Sequence, residues 1–157
     1  MADTNINTGV PIRFEADGQL DITDGATTYD VKQIAQGTVE FEPGGYASIS
    51  YKDRGVLQDD LEGDEIPSRI RFSIQLTSFQ AAQLYAILTA RDTSTGKKKK
   101  FTIAVKYAAY KGATTGQTVT FADCVLDTQV RIRAGAELDT MEWDMKSNDP
   151  FPAIGTY

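Results

Sequence analysis

Apolar and polar residues alternate without a break over Arg69-Ile70-Arg71-Phe72-Ser73-Ile74-Gln75-Leu76-Thr77. Residues 70, 72, 74 and 76 fall on one side, so this stretch predicts a strand with one buried face. The period then changes. Thr77 followed by Gln80 is a capping-box arrangement. Ala81, Leu84, Tyr85 and Leu88 recur at helical spacing and predict one amphipathic helix at about residues 78–91. Alternation returns in Phe101–Tyr107, with Phe101, Ile103, Val105 and Tyr107 on one face. It recurs in Asp139–Lys146, where Met141, Trp143 and Met145 point inward and Glu142 and Asp144 outward. Shorter strand patterns cover Gln19–Thr23, Thr28–Ile34, Thr118–Leu126 and Gln129–Arg133. Gly37–Glu42 and Tyr46–Lys52 flank Pro43-Gly44, a good type II turn centre, and read as a hairpin. A single helix among so many strands predicts a mainly β fold. We expect a β-sandwich or partly closed barrel of antiparallel strands with one flanking α-helix.

Three segments stand outside this pattern. Residues 1–18 form a polar arm with a small apolar knot that includes Ile12 and Phe14, and Pro11 limits it to an edge strand or an extended arm. Residues 53–67 carry Asp59, Asp60, Glu62, Asp64 and Glu65 with few apolar anchors, and read as a projecting loop or hairpin. Residues 148–157 form a tail holding Phe151, Ile154 and Tyr157. No repeat or linker divides the chain, so residues 1–157 are expected to form one domain.

Composition narrows the chemistry. The chain has no histidine and one cysteine, Cys124. Ser-His-Asp and Cys-His catalysis and a structural zinc site are therefore excluded. The acidic segment places Gly63 too early for an EF-hand loop, so a solvated segment is favoured over a calcium site. Lys97, Lys98, Lys99 and Lys100 do not complete a phosphate-binding loop, because Arg91 stands where its first glycine belongs. An enzyme working through carboxylates alone stays open, but no spacing supports one. No cofactor is expected. The net charge of −6 disfavours nucleic-acid and anionic-membrane binding, and no apolar run approaches the length of a membrane span. The start of the chain shows no secretory-signal pattern.

From Gln36 to Ser147 the order of features resembles that of bacteriophage major tail tube proteins. The resemblance rests on the strand RIRFSIQLTS, the helix FQAAQLYAILTAR, the strands FTIAVKYA and TVTFADCVLD, and the ending AGAELDTMEWDMKSNDP. The type VI secretion tube protein shares that fold and is an alternative, as is a monomeric β-sandwich binding module, for example one for carbohydrate. The resemblance implies a structural, non-enzymatic virion protein assembled in the host bacterial cytoplasm. Hexameric rings of it would stack into a hollow tail tube that DNA traverses without specific binding. Its partners would be further copies of itself, the tape measure and tail-end proteins.

The residues suggest where such contacts would fall. Glu40, Glu42, Glu142 and Asp144 lie on the wet side of one-sided strands and are candidates for a channel lining. Ile12, Phe14, Phe151, Ile154 and Tyr157 are candidates for contacts between subunits. The acidic residues of 53–67 and the lysines 97–100 would face each other between stacked rings, as opposite charges on opposite rims.

Overall fold

The computed structural model describes residues 18–31, 34–76, 79–108, 114–135 and 139–156. Among the described residues, eleven strands and one helix follow in chain order. They are β1 (Gly18–Asp24), β2 (Thr27–Val31), β3 (Ile34–Glu42), β4 (Gly45–Asp53), β5 (Val56–Ile66), β6 (Ser68–Gln75), α1 (Phe79–Leu88), β7 (Phe101–Ala108), β8 (Gly116–Leu126), β9 (Arg131–Arg133), β10 (Thr140–Ser147) and β11 (Ala153–Thr156). Nine strands join in one antiparallel sheet of order β2-β1-β7-β8-β10-β6-β3, with β11 added to β8 and β9 to β10. The predicted mainly β, one-helix fold is the observed one. The sheet does not close into a barrel, since β2 and β3 end the path.

The sheet bends where β8 meets β10. Only Cys124–Leu126 pair with Met145–Ser147 there, whereas β10 pairs with β6 along its whole length. The two halves on either side of this short seam face one another across a common core. Leu20, Ile22, Ile103, Val105 and Phe121 come from one half, and Ile70, Phe72, Ile74, Met141, Trp143 and Met145 from the other. Helix α1 adds Ala81, Leu84 and Leu88. Trp143 stacks on Phe72 at 6.3 Å between ring centres. Strands β6 and β10 alternate strictly between buried and half-buried residues, as their sequence demands.

The helix is shorter than predicted, Phe79–Leu88 rather than 78–91. The Gln80 side chain donates to the carbonyl of Asp30 at 3.0 Å, tying the helix to β2. The cap residue Thr77 lies outside the described residues. Tyr85 leaves the buried stripe and is 47% exposed, although its ring still meets Trp143.

A larger correction concerns Pro43-Gly44. This pair does not close a β3–β4 hairpin. Strand β3 pairs with β6, with Glu40 opposite Arg71 and Glu42 opposite Arg69. Strand β4 pairs with β5 in a separate two-stranded sheet. The acidic segment is therefore mostly strand, the second arm of a projecting hairpin. Its turn is Asp53-Arg54-Gly55-Val56, with Arg54 at φ 49° and Gly55 at φ 83°. Two left-handed central residues make the turn that suits the twist of a tight hairpin. Gly44 has a different task. A side chain there would strike the Ile66 carbonyl oxygen at 1.9 Å, so only glycine lets the two ends of the hairpin cross.

The tail is not irregular either. Residues 153–156 form β11, paired with Gln117–Thr120 of β8.

Candidate assembly surfaces

The outer side of the β3-β6-β10 half collects charge because those strands alternate. All four candidates for a channel lining lie there: Glu40 and Glu42 on β3, and Glu142 and Asp144 on β10. Between them stand the basic residues of β6 and β9. Asp144 forms ion pairs with Arg71 at 3.6 Å and with Arg69 at 3.9 Å. Arg71 also reaches Glu42 at 3.9 Å, and Arg133 meets Glu142 at 3.1 Å. Asp127, just past β8, receives Arg69 at 3.4 Å and Lys146 at 3.3 Å. The wall is thus a mixed lattice of ion pairs rather than the acidic surface its outward carboxylates suggest in sequence. Cross-strand neighbours of opposite sign are favourable at such positions. Each exposed pair contributes about 0 to 1 kcal/mol.

A cleft of about 430 Å³ opens on this face, bordered by Glu40, Arg71, Ser73, Glu142, Asp144 and Arg131. Among the described residues, the Oδ1 of Asp144 is buried without a hydrogen-bond partner. No group of histidine, cysteine, aspartate or glutamate side chains able to hold a metal occurs among the described residues.

The β4–β5 hairpin is the second surface. Ile49 lies opposite Leu61, and both are more than half exposed, at 55% and 54%. Ala47 and Gly63 belong to the same face, where the Ile49 side chain passes over Gly63. Ser48 pairs with Glu62 on the other face. The hairpin is therefore amphipathic, apolar on one side and acidic on the other. Glu62, Asp64 and Glu65 are exposed, while of Asp59 and Asp60 only the strand positions, opposite Tyr51 and Ser50, are described. Sequence reasoning put Ile49 on an apolar strand face but read residues 53–67 as charge alone, and so missed Leu61 as its partner. The available signal was Leu61 and Gly63 alternating with the carboxylates.

The lysines are largely engaged within the chain. Lys98 donates to the Leu126 carbonyl at 2.6 Å, Lys99 binds Asp24, and Lys100 approaches Asp123 at 3.8 Å. Lys97 is exposed. The preceding loop is built around Asp92, whose Oδ1 accepts from the Ser94 hydroxyl and from the backbone N–H groups of Ser94 and Thr95, at 2.5, 2.8 and 2.9 Å. Those bonds, led by the Ser94 hydroxyl, hold the Asp92 carboxyl down at about 2.

At the other extremity Phe151 and Ile154 are exposed, at 55% and 73%, and Phe151 leans on Tyr46 with ring centres 5.6 Å apart. Ile12, Phe14 and Tyr157 lie outside the described residues. Cys124 is fully buried, and burial pushes its thiol up to about 12, so it is an inert core residue rather than a nucleophile.

No protein-family model matches the chain, and no curated protein matches it. Solved structures do. A chain of the extended-state sheath–tube complex of an extracellular contractile injection system, PVC, superposes with a TM-score of 0.67 at 11% identity, over 100% of this chain and 98% of that one. The sheath/tube terminator of the same system also gives 0.67, at 12% identity, covering 96% and 99%. The tube-terminating cap of the anti-feeding prophage, AFP, gives 0.63 at 13% identity, covering 100% and 99%. The chain shares the fold of these contractile injection system proteins, which is the tail-tube fold expected from the sequence. No helix among the described residues is long and apolar enough to cross a membrane.

Proposed function

We propose that this protein is a structural tube subunit, not an enzyme. Copies of it form hexameric rings that stack into the hollow tail tube of a bacteriophage, made in the host cytoplasm and carried in the virion. DNA passes through without specific binding, and the tape measure and tail-end proteins are the partners besides further copies. The observation that carries this reading is the end-to-end likeness to a chain of a sheath–tube complex, which leaves almost nothing unmatched on either side.

Two features support it. The charge lattice on β3, β6, β9 and β10 gives a wet wall that is close to neutral, and such a wall neither traps nor strongly repels a phosphate backbone. The β4–β5 hairpin is a lone two-stranded ribbon with an uncovered apolar face. Such ribbons are marginal in water by themselves, and a neighbouring copy would cover Ile49 and Leu61. Exposed β2 and β3 edges would likewise be closed by neighbours.

The test is size-exclusion chromatography with negative-stain imaging of the purified chain over a range of concentrations. Rings and tubes that lengthen with concentration support the reading. A monomer at every concentration rejects it in favour of a binding module. A second reading, a terminator that caps a tube, is favoured by the likeness to two terminating proteins. It predicts single rings that never elongate.

A further inference from the structure

Among the described elements, β4 and β5 pack extensively only on each other. What holds the base is the segment that leaves β10. Ser68 and Ser147 are cross-strand partners at the end of the β6–β10 ladder, and both are completely buried. The Ser68 hydroxyl accepts from the Gly44 N–H at 2.9 Å and donates to the Pro150 carbonyl at 3.0 Å. One hydroxyl therefore bonds the entry of the hairpin to the strap that follows β10. The strap has its own shape. Asp149 N–H donates to Ser147 Oγ at 3.1 Å, and Phe151 N–H donates to Asp149 Oδ1 at 3.0 Å. That turn delivers the Phe151 ring to Tyr46, the second residue of β4. Beyond it, β11 fastens the strap to β8.

We infer that residues 147–151 are a latch that holds the β4–β5 hairpin in one attitude on the sheet, with Ser68 as its buried pin and Phe151 on Tyr46 as its outer catch. Opening the latch frees the hairpin as a unit, because among the described elements none packs extensively on the ribbon beyond its base. The Tyr46 hydroxyl is raised by Glu65, by burial, by Glu62 and by Asp149, so carboxylates of both hairpin and strap act at the catch. The latch belongs to the single chain and stands or falls independently of assembly.

Amide hydrogen exchange on the full-length protein, kept dilute, tests it. Phe151→Ala is expected to speed exchange at Gly45, Tyr46, Glu65 and Ile66 by about five- to tenfold, with Ile103 and Trp143 unchanged. Coupling is reciprocal, so Tyr46→Ala is expected to speed exchange at Asp149 and Phe151 by the same factor. Ser68→Ala is expected to do both at once. If that variant fails to fold, the two surface variants decide the matter. Unchanged exchange at the base in Phe151→Ala overturns the inference. So does a change in one direction only, or a rise spread evenly over the sheet.

Discussion

Strands β6 and β4 carry the same kind of pattern and meet opposite fates. In β6, Ile70, Phe72 and Ile74 alternate with Arg71 and Ser73, and the three apolar residues are 0%, 4% and 0% exposed. In β4, Ala47, Ile49 and Tyr51 alternate with Ser48 and Ser50, yet Ile49 is 55% exposed. Alternation specifies that a strand has an apolar side. It does not supply the layer that covers that side. Strand β6 faces the opposite half of the bent sheet, with α1 adding to the same core, whereas β4 has only β5 beside it. An uncovered apolar side in a chain whose core is complete marks a surface meant for something else.

Substitutions widen or close this contrast. The largest effect is expected in the body. Trp143→Ala removes the largest fully buried side chain and its stack on Phe72, and should cost about 3 to 5 kcal/mol by denaturant unfolding. The matching change in the hairpin, Leu61→Asp, should cost about 0.5 kcal/mol or less, because Leu61 is already in water. The same variant should abolish ring and tube formation by imaging. A hairpin variant that unfolds like Trp143→Ala would mean the ribbon is part of the folding unit, and one that assembles normally would remove its apolar face from the interface. On the charged wall, Asp144→Asn should cost about 1 kcal/mol, since Asp144 is the shared partner of Arg69 and Arg71 and is half-buried.

Two pH effects are smaller and of opposite sense. Cys124 has its ordinary value of 9.0 when unfolded and about 12 when folded. The unfolded chain loses this proton first as pH rises, so stability should fall between about pH 9 and pH 12. Cys124→Ala should remove that component of the high-pH decline in melting temperature. Asp92 is depressed from 3.8 to about 2. Its contribution is present above pH 3.8 and is lost as pH falls through 2. Its partners all lie in its own loop, so it should alter only that loop, visible as faster exchange of the Ser94 and Thr95 amides in Asp92→Ala.

Most strands were legible because their period of two is local. The predicted segments for β1, β7, β8 and β10 agree with the observed ones to within about two residues. The helix was legible for the same reason, but the bond from Gln80 to the Asp30 carbonyl on β2 was not, because it joins residues fifty positions apart. Pairing was less legible. Pro43-Gly44 has the composition of a turn, but β3 has a better partner in β6, where Glu40 and Glu42 face Arg71 and Arg69 across the ladder and Phe41 packs into the core. The true hairpin turn, Arg54-Gly55, sits beside the acidic run and was masked by it. Charge was the least legible property. The outward carboxylates of β3 and β10 predict an acidic wall, and only pairing with β6 and β9 shows that Glu42, Glu142 and Asp144 each meet an arginine. Three of the four consecutive lysines are likewise consumed by acceptors on β1 and β8.

The sequence by itself therefore determined the local conformations, the inward side of each strand, and the exclusion of histidine-dependent chemistry. These follow from side-chain period and residue type, which act over a few neighbours. Tertiary structure alone decided which strand lies beside which, that β4 and β5 leave the sheet together, and that the tail returns to β8 by way of Ser68. Those choices depend on contacts between residues far apart in the chain, such as Ser68 with Pro150, which no local pattern records.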